Sequence, residues 1–138
     1  MAAATSDLYP LLLEERHAVK AAVQKAGTTI YLHALCMQDA GKVRPVATGV
    51  AGAKLLGWAK QSYGAVGGSD VTWSPQMNFG RGVIALQGAA GALPTEANLM
   101  TMVRLDDDQT VSTTAIGAND QSVKLIAIED GAYICEVV

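Results

Sequence analysis

Residues 123–138 read VKLIAIEDGAYICEVV, and this stretch decides the fold class. Two runs rich in β-branched and aromatic residues, which favour strands, flank the dipeptide Asp130-Gly131. An Asp-Gly pair between two such runs is a strong local signal for a hairpin, because both turn residues adopt positive φ. The end of the chain is therefore predicted to be a two-stranded antiparallel hairpin.

The same pattern recurs upstream in shorter pieces. Residues 101–112 predict a second hairpin around a solvated acidic turn, Asp106-Asp107-Asp108-Gln109. Residues 28–37 predict a strand that contains His33, and residues 39–42 predict the turn that follows it. Further strands are predicted at 43–47 (with Pro45 at a strand end), 54–59, 71–73 and 82–86, a flexible loop at 63–70 and a helical turn at 94–98.

Short strands separated by turns about every ten residues are typical of an all-β barrel or sandwich. We therefore predict a mainly β fold, a small β-barrel-like or β-sandwich-like domain with one short helical turn. The chain has 138 residues, which is the size of one domain, and it contains no internal repeat. Residues 27–138 are assigned to this single β domain, and residues 1–26 to an N-terminal arm.

Residues 7–25 have two interpretations that the pattern leaves open. The run LLLEERHAVKAAVQK, residues 11–25, is rich in helix formers, and Asp7 is a candidate cap. Pro10 interrupts the start of that helix, however, and the apolar residues hold no single face. An extended arm that pairs with another subunit would have the same sequence character.

Composition and charge exclude several classes of function. The net charge is −3, and the ten basic residues are scattered singly, so a nucleic-acid-binding surface is not expected. No apolar run approaches the length of a membrane span, and the N-terminus lacks the basic region of a signal peptide. We therefore expect a protein that is made and kept in the cytoplasm or is assembled into a larger particle there. Cys36 and Cys135 are expected to be buried free thiols, with a disulfide as the alternative.

Candidate catalytic motifs are weak. Residues 80–85, GRGVIA, fit the dinucleotide fingerprint in letters, but no βαβ pattern surrounds them. The acidic turn lacks the ligand spacing of a calcium loop. His17 and His33 are the two histidines, and local sequence pairs neither with a nucleophile. We predict no catalytic, cofactor or metal site, and no enzyme.

Several short motifs follow one another in a recognisable order over residues 14–138. They are Glu15-Arg16, Ala34-Leu35 with Gly41-Lys42 and Pro45, Leu56-Gly57-Trp58-Ala59, Arg81-Gly82-Val83, Thr95 with Ala97 and Val103, Asp107-Asp108-Gln109-Thr110-Val111, and 131–138. In this order they resemble a family of small tailed-phage and prophage proteins that are similar to head decoration, or cement, proteins. Two departures stand out: residues 1–14 are extra, and the family's usual glycine after the helical turn is replaced in Asn98-Leu99-Met100.

The resemblance implies a structural virion protein that binds the outer surface of the mature capsid and cements the head lattice. It implies the major capsid protein and other copies of the chain as partners, as a homotrimer or alternatively a dimer, with no nucleic acid and no membrane. It also favours the extended arm over a helix for residues 1–26, with few contacts to the arm's own domain. The predicted capsid or subunit contacts are Leu8, Tyr9, Leu12, Leu13 and Arg16.

A second function is kept open, that of a host-surface or carbohydrate-binding module displayed on a virion. Such sites usually present aromatic rings to solvent. The chain could supply such a platform from Tyr31, Trp58, Tyr63 and Trp73. Burial of both tryptophans would remove the basis of this alternative.

Overall fold

The computed structural model describes residues 3–4 and 12–138, and for residues 12–17 it describes the backbone alone. The described residues form eleven strands: β1 (Leu12–Gln24), β2 (Thr29–Ile30), β3 (Leu35–Asp39), β4 (Lys42–Pro45), β5 (Lys54–Ala59), β6 (Gly64–Ala65), β7 (Val71–Gly88), β8 (Met102–Leu105), β9 (Thr110–Ser112), β10 (Ser122–Glu129) and β11 (Ala132–Glu136). One 3-10 turn, Glu96–Asn98, precedes β8. The predicted mainly β fold is confirmed.

The turns that anchored the prediction have the expected backbone. Asp130 and Gly131 have φ of 50° and 78°, and they join β10 to β11 in antiparallel register. The helical turn is capped by Asn98, whose side-chain oxygen accepts the Thr95 amide at 2.8 Å. Pro45 lies at the end of β4, where its missing N–H costs no ladder bond.

The strand pairings close two rings that share the long strand β7. The first ring runs β1-β4-β3-β5-β7 and returns to β1, and the second runs β7-β11-β10-β8-β9 and returns to β7. Residues 79–80 of β7 pair with β5, whereas residues 83–86 pair with β11 and residues 87–88 with β9. Strand β7 is therefore a member of both rings.

Each ring has its own apolar cluster. The first-ring cluster is built from Ile30, Cys36, Val43, Leu56, Ala59, Tyr63, Met77 and Phe79, with Val19, Ala21 and Trp73 packed against it. The second-ring cluster includes Ile84, Leu86, Val103, Leu105, Val111, Val123, Leu125, Tyr133 and Cys135, and it also takes Leu35, Met37 and Trp58 from β3 and β5. Strands β3 and β5 thus contribute side chains to both clusters.

The two rings meet where β5 crosses β7. Gly57 has φ of 142°, and a Cβ placed on it would lie 2.0 Å from the carbonyl oxygen of Gly80. The adjacent Arg81 guanidinium donates to the carbonyls of Leu55 (2.7 Å) and Leu56 (2.9 Å), and it also bonds the Val138 carbonyl. A glycine and an arginine therefore fix β5, β7 and the end of the chain at one point.

Three features differ from the sequence prediction. His33 is not inside a strand: it has φ of 66° in a turn between β2 and β3, because the chain changes partner there. The expected loop at 63–70 contains β6, which pairs with β2. The predicted strands at 71–73 and 82–86 are parts of the single strand β7, which continues through the polar residues between them.

Both cysteines are buried free thiols, so the prediction of unpaired thiols is confirmed over a disulfide. Burial raises the pKa of Cys135 to about 12. Burial also raises the pKa of Cys36, and the neighbouring carboxylate of Asp108 adds to that shift. Both thiols are therefore protonated at neutral pH and behave as small apolar side chains.

Candidate docking surface

The predicted contact residues fall at the N-terminal end of the chain. Leu8 and Tyr9 lie outside the described residues. Leu12, Leu13 and Arg16 lie on β1, of which only the backbone is described at these positions. There Leu12 is paired with Ile84 of β7. The structure therefore does not place these side chains on a surface.

Half of the predicted arm, residues 12–24, is a strand of the domain itself. Residues 12–24 are extended, as the resemblance implied, but they form an antiparallel ladder with β7 that runs from Leu12 opposite Ile84 to Gln24 opposite Val71. Val19 and Ala21 pack against the first-ring cluster. The expectation of few intramolecular contacts does not hold for this part of the chain, which counts against capsid binding through residues 12–24.

The end of β1 is locked by a buried amide, Gln24. Its side-chain nitrogen donates to the carbonyls of Gly64 (3.0 Å) and Thr28 (3.3 Å), and its oxygen accepts the indole N–H of Trp73 at 3.0 Å. The Trp73 ring meets Tyr63 edge-on, with centroids 5.2 Å apart. This fully buried polar group has its donors and acceptor satisfied, and it ties β1 to β6 and β7.

The acidic turn between β8 and β9 is not the solvated turn that the sequence suggested. Asp106 accepts the Arg104 Nε–H at 2.9 Å and the Ser112 hydroxyl at 2.6 Å. Asp107 accepts the backbone amide of Gln109 at 3.0 Å. Asp108 is buried, with 2% of its surface exposed. Because the three aspartates are identical and adjacent, the sequence does not show which of their carboxylates is buried.

Asp108 connects three separate parts of the chain. Its backbone carbonyl accepts the amide of Leu35 at 2.9 Å, at the start of β3. Its carboxylate Oδ1 accepts the backbone amide of Ala4 at 2.8 Å. Burial raises the pKa of the carboxyl from 3.8 to about 6; the Ala4 amide opposes this shift, nearby Asp107 adds to it, and its own backbone amide opposes it. Residues 3–4, called here the N-terminal segment, are thereby held against the turn.

The segment from residue 93 to 102 carries three exposed apolar side chains. Leu93, Met100 and Met102 are 51%, 63% and 42% exposed, and they are three of the six large apolar side chains that are exposed among the described residues. The Met100 amide donates to the Leu125 carbonyl at 2.7 Å, and Met102 pairs with Lys124. Both methionines therefore border the start of β10, on the outside of the second ring.

Met100 also has an unusual backbone, with φ of 65°. This left-handed conformation costs an L-residue roughly 1–2 kcal/mol, and glycine adopts it freely. The resemblance places the family's usual glycine in this turn. The chain thus holds a large, exposed, apolar side chain in a backbone conformation that costs free energy.

The aromatic side chains do not form an exposed platform. Trp58 and Tyr63 are buried, with 1% and 6% of their surface exposed. Trp73 is half-buried and its indole N–H is used by Gln24. Tyr31 is half-buried in the turn between β2 and β3. Trp58 therefore packs in the second-ring cluster, and Tyr63 and Trp73 pack in or against the first-ring cluster.

The dinucleotide interpretation of residues 80–85 fails on geometry. All six residues lie inside β7, and the chain continues as a strand to Gly88 without opening a helix. Among the described residues, no group of three or more His, Cys, Asp or Glu side chains is placed to hold a metal ion. No helix in the described part of the chain is long and apolar enough to cross a membrane.

Comparisons with protein-family models, with curated proteins and with solved structures found no match to this chain. The residues that carried the phage-protein resemblance do have defined positions in the fold. Gly57 and Arg81 join the two rings, and Asp108 holds β3 and the N-terminal segment. Each of these motifs therefore serves the architecture.

Proposed function

We propose that the protein is a structural virion component that binds the outer surface of the mature phage capsid and stabilises the head lattice. The segment 93–102 is its contact with the major capsid protein. The observation that carries this proposal is the exposure of Leu93, Met100 and Met102 on a domain whose distinctive motifs otherwise hold the strands together. The family resemblance supplies the identity of the partner.

Exposed apolar side chains suit a protein that must recognise an assembled lattice. Burial of apolar surface contributes roughly 25 cal/mol per Å², so a small patch gives a modest affinity for each copy. A coat offers many equivalent sites, and a protein that binds only the mature lattice stabilises it by mass action. A modest interface for each copy is therefore sufficient.

Contacts between copies would strengthen binding further. A homotrimer, or alternatively a dimer, presents several 93–102 segments at once, and linked contacts raise the effective affinity without any new interaction. Such a protein is assembled in the host cytoplasm and ends on the outside of the capsid. The ladder between β1 and β7 argues against residues 12–24 as the link between copies.

The alternative function, a virion-displayed host-surface or carbohydrate-binding module, has less support. It depended on aromatic rings facing solvent, and Trp58 and Tyr63 face the core instead. The segment 93–102 contains no aromatic residue that could replace them. Capsid decoration is therefore the better-supported proposal.

Co-sedimentation with mature, undecorated capsids of the phage that encodes the protein tests the proposal. We expect saturable pelleting at a fixed ratio to the coat subunit. Met100→Ser and Met102→Ser should each weaken pelleting several-fold, because they remove apolar contact area. The matched control is Ile116→Ser, which changes a side chain of similar exposure (41%) in the loop between β9 and β10.

Two outcomes would count against the proposal. If wild-type protein does not pellet with capsids at any salt concentration, decoration is excluded. If pelleting is retained by both methionine variants and lost by Ile116→Ser, the contact surface is wrong while decoration itself stands. A glycan-binding screen on the same wild-type sample tests the alternative.

A further inference from the structure

The N-terminal segment is attached to the second ring by a hydrogen bond to a buried carboxylate. Ala4 donates its backbone N–H to Asp108 Oδ1 at 2.8 Å, across 104 residues of sequence. Ala3 is exposed and Ala4 is half-buried, so their small side chains bury little apolar surface. Among the contacts that the structure describes for these two residues, this hydrogen bond ties them to the turn between β8 and β9.

The strength of this bond depends on the charge of the acceptor. A hydrogen bond to an ionised carboxylate is roughly twice as strong as one between neutral groups. Protonation of Asp108 removes that charge and occupies one of its oxygens with a proton. A buried carboxyl also loses its desolvation cost on protonation, so both states of the turn are accessible in a folded protein.

We propose that Asp108 is a pH-sensitive clasp, which holds the N-terminal segment when ionised and releases it when protonated. The switch is local, because the backbone bond from Leu35 to the Asp108 carbonyl does not depend on the carboxyl. Release would free the N-terminal segment while leaving β3 and the second ring in place. The inference does not depend on the proposed function.

We expect Asp108, among the groups at this site, to take up the proton. Asp107, on the same turn, repels the Asp108 charge and contributes to the raised pKa. Cys36, from β3, interacts electrostatically with Asp108, but its own raised pKa keeps the thiol neutral over the relevant range. Thr110, two residues further along the chain on β9, is buried and carries no charge. Because the pKa of Asp108 is about 6, the transition should fall between pH 5 and pH 7.

Nuclear magnetic resonance of the full chain tests the clasp directly. The heteronuclear ¹⁵N NOE of the Ala4 amide reports whether the N-terminal segment is ordered. We expect it to fall between pH 7.5 and pH 5, with a midpoint near pH 6. If docking of the N-terminal segment lowers the pKa of Asp108 by one unit, protonation of Asp108 weakens the docking equilibrium tenfold.

Two variants separate the clasp from other titrating groups. Asp108→Asn is neutral at every pH and offers the Ala4 N–H only a neutral amide oxygen, so the Ala4 NOE should be lower than in the wild type at pH 7.5 and should not respond to pH. Asp107→Asn removes the neighbouring charge, so the transition should persist with its midpoint moved to lower pH. A wild-type Ala4 signal that does not change with pH, or an unchanged transition in Asp108→Asn, would overturn the proposal. The wild-type titration alone already gives a decision if a variant does not fold.

Discussion

The two rings of the molecule bury polar groups in opposite ways. In the first ring, the neutral amide of Gln24 is fully buried and bonded to Thr28, Gly64 and Trp73. In the second ring, the carboxyl of Asp108 is buried to the same degree, and its side chain reaches out to the N-terminal segment through Ala4.

This difference separates a structural group from a responsive one. A neutral amide with all its partners has the same bonding at every physiological pH, so the Gln24 site should be insensitive to protons. A buried carboxyl with a raised pKa exchanges a proton within that range and couples the fold to pH. Four substitutions test this difference between the two rings.

The largest effect is expected at the junction that both rings share. Gly57→Ala places a Cβ 2.0 Å from the Gly80 carbonyl oxygen at a φ of 142°, so β5 and β7 must separate. We expect a loss of about 4 kcal/mol in the free energy of unfolding, from strain and overpacking together. Urea denaturation measures it. Gly67→Ala is the control, since nothing lies within 4 Å of the added Cβ there.

A loss below about 1 kcal/mol in Gly57→Ala would mean that the close approach at the junction does not hold the rings together. In that case the two rings would be only loosely coupled. The stability of each ring would then have to be measured separately, as for two folding units.

The second-largest loss of stability is expected when the buried side-chain amide of Gln24 is removed. Gln24→Leu leaves the Trp73 indole N–H and the carbonyls of Thr28 and Gly64 without their partner, and we expect a loss of about 3 kcal/mol. Gln61→Leu, on an exposed residue, should change stability by less than about 0.5 kcal/mol. Equal effects in the two variants would show that the Gln24 bonds contribute nothing.

The second-ring counterpart is Asp108→Asn, which should stabilise the protein at neutral pH. The folded-state pKa of Asp108 lies above its ordinary value, so its contribution to stability is present below about pH 4 and is lost as pH rises through about 6. The ionised group thus costs roughly 2–3 kcal/mol at pH 7. Stability curves of wild type and variant should diverge between these two pH values, and parallel curves would contradict the assignment.

The sequence predicted the parts of this fold that depend on local conformation. The Asp130-Gly131 hairpin, the turn before β4 and the helical turn capped by Asn98 are set by residues adjacent in the chain. It could not predict that β1 pairs with β7 or that β7 runs through 18 residues, because these depend on partners far away in sequence. Strand pairing of that kind overrides a helix-favouring run such as residues 11–25.

The candidate sites were harder still to predict. The same acidic turn was noticed in the sequence, but only burial distinguishes Asp108 from Asp106 and Asp107. Gln24 gave no signal, since a glutamine at the end of a strand is usually exposed. The phage proteins that the sequence resembles usually have a glycine near the position of Met100, and its absence here was visible in the sequence. The positive φ of Met100 gives that difference a physical meaning.

The smallest expected effect concerns the outer surface of the second ring. Met100→Gly relieves the left-handed strain of roughly 1–2 kcal/mol but adds the backbone entropy of glycine, about 0.5–1 kcal/mol, so stability should rise by about 0.5 kcal/mol. Thermal denaturation detects a change of this size as a shift of about 2–3 °C. Met102→Gly, in the regular strand β8, should instead lower stability.

Capsid binding should move in the other direction. Met100→Gly removes an exposed apolar side chain from the proposed contact, so pelleting with capsids should weaken although the protein is more stable. A loss of both stability and binding would mean that the left-handed backbone is not strained and that the binding defect follows from partial unfolding. A gain in stability with unchanged binding would show that the strain at Met100 serves no contact, and it would leave Leu93 and Met102 to account for the surface. Only the opposed pair of changes indicates that the chain gives up stability at this position in exchange for a contact.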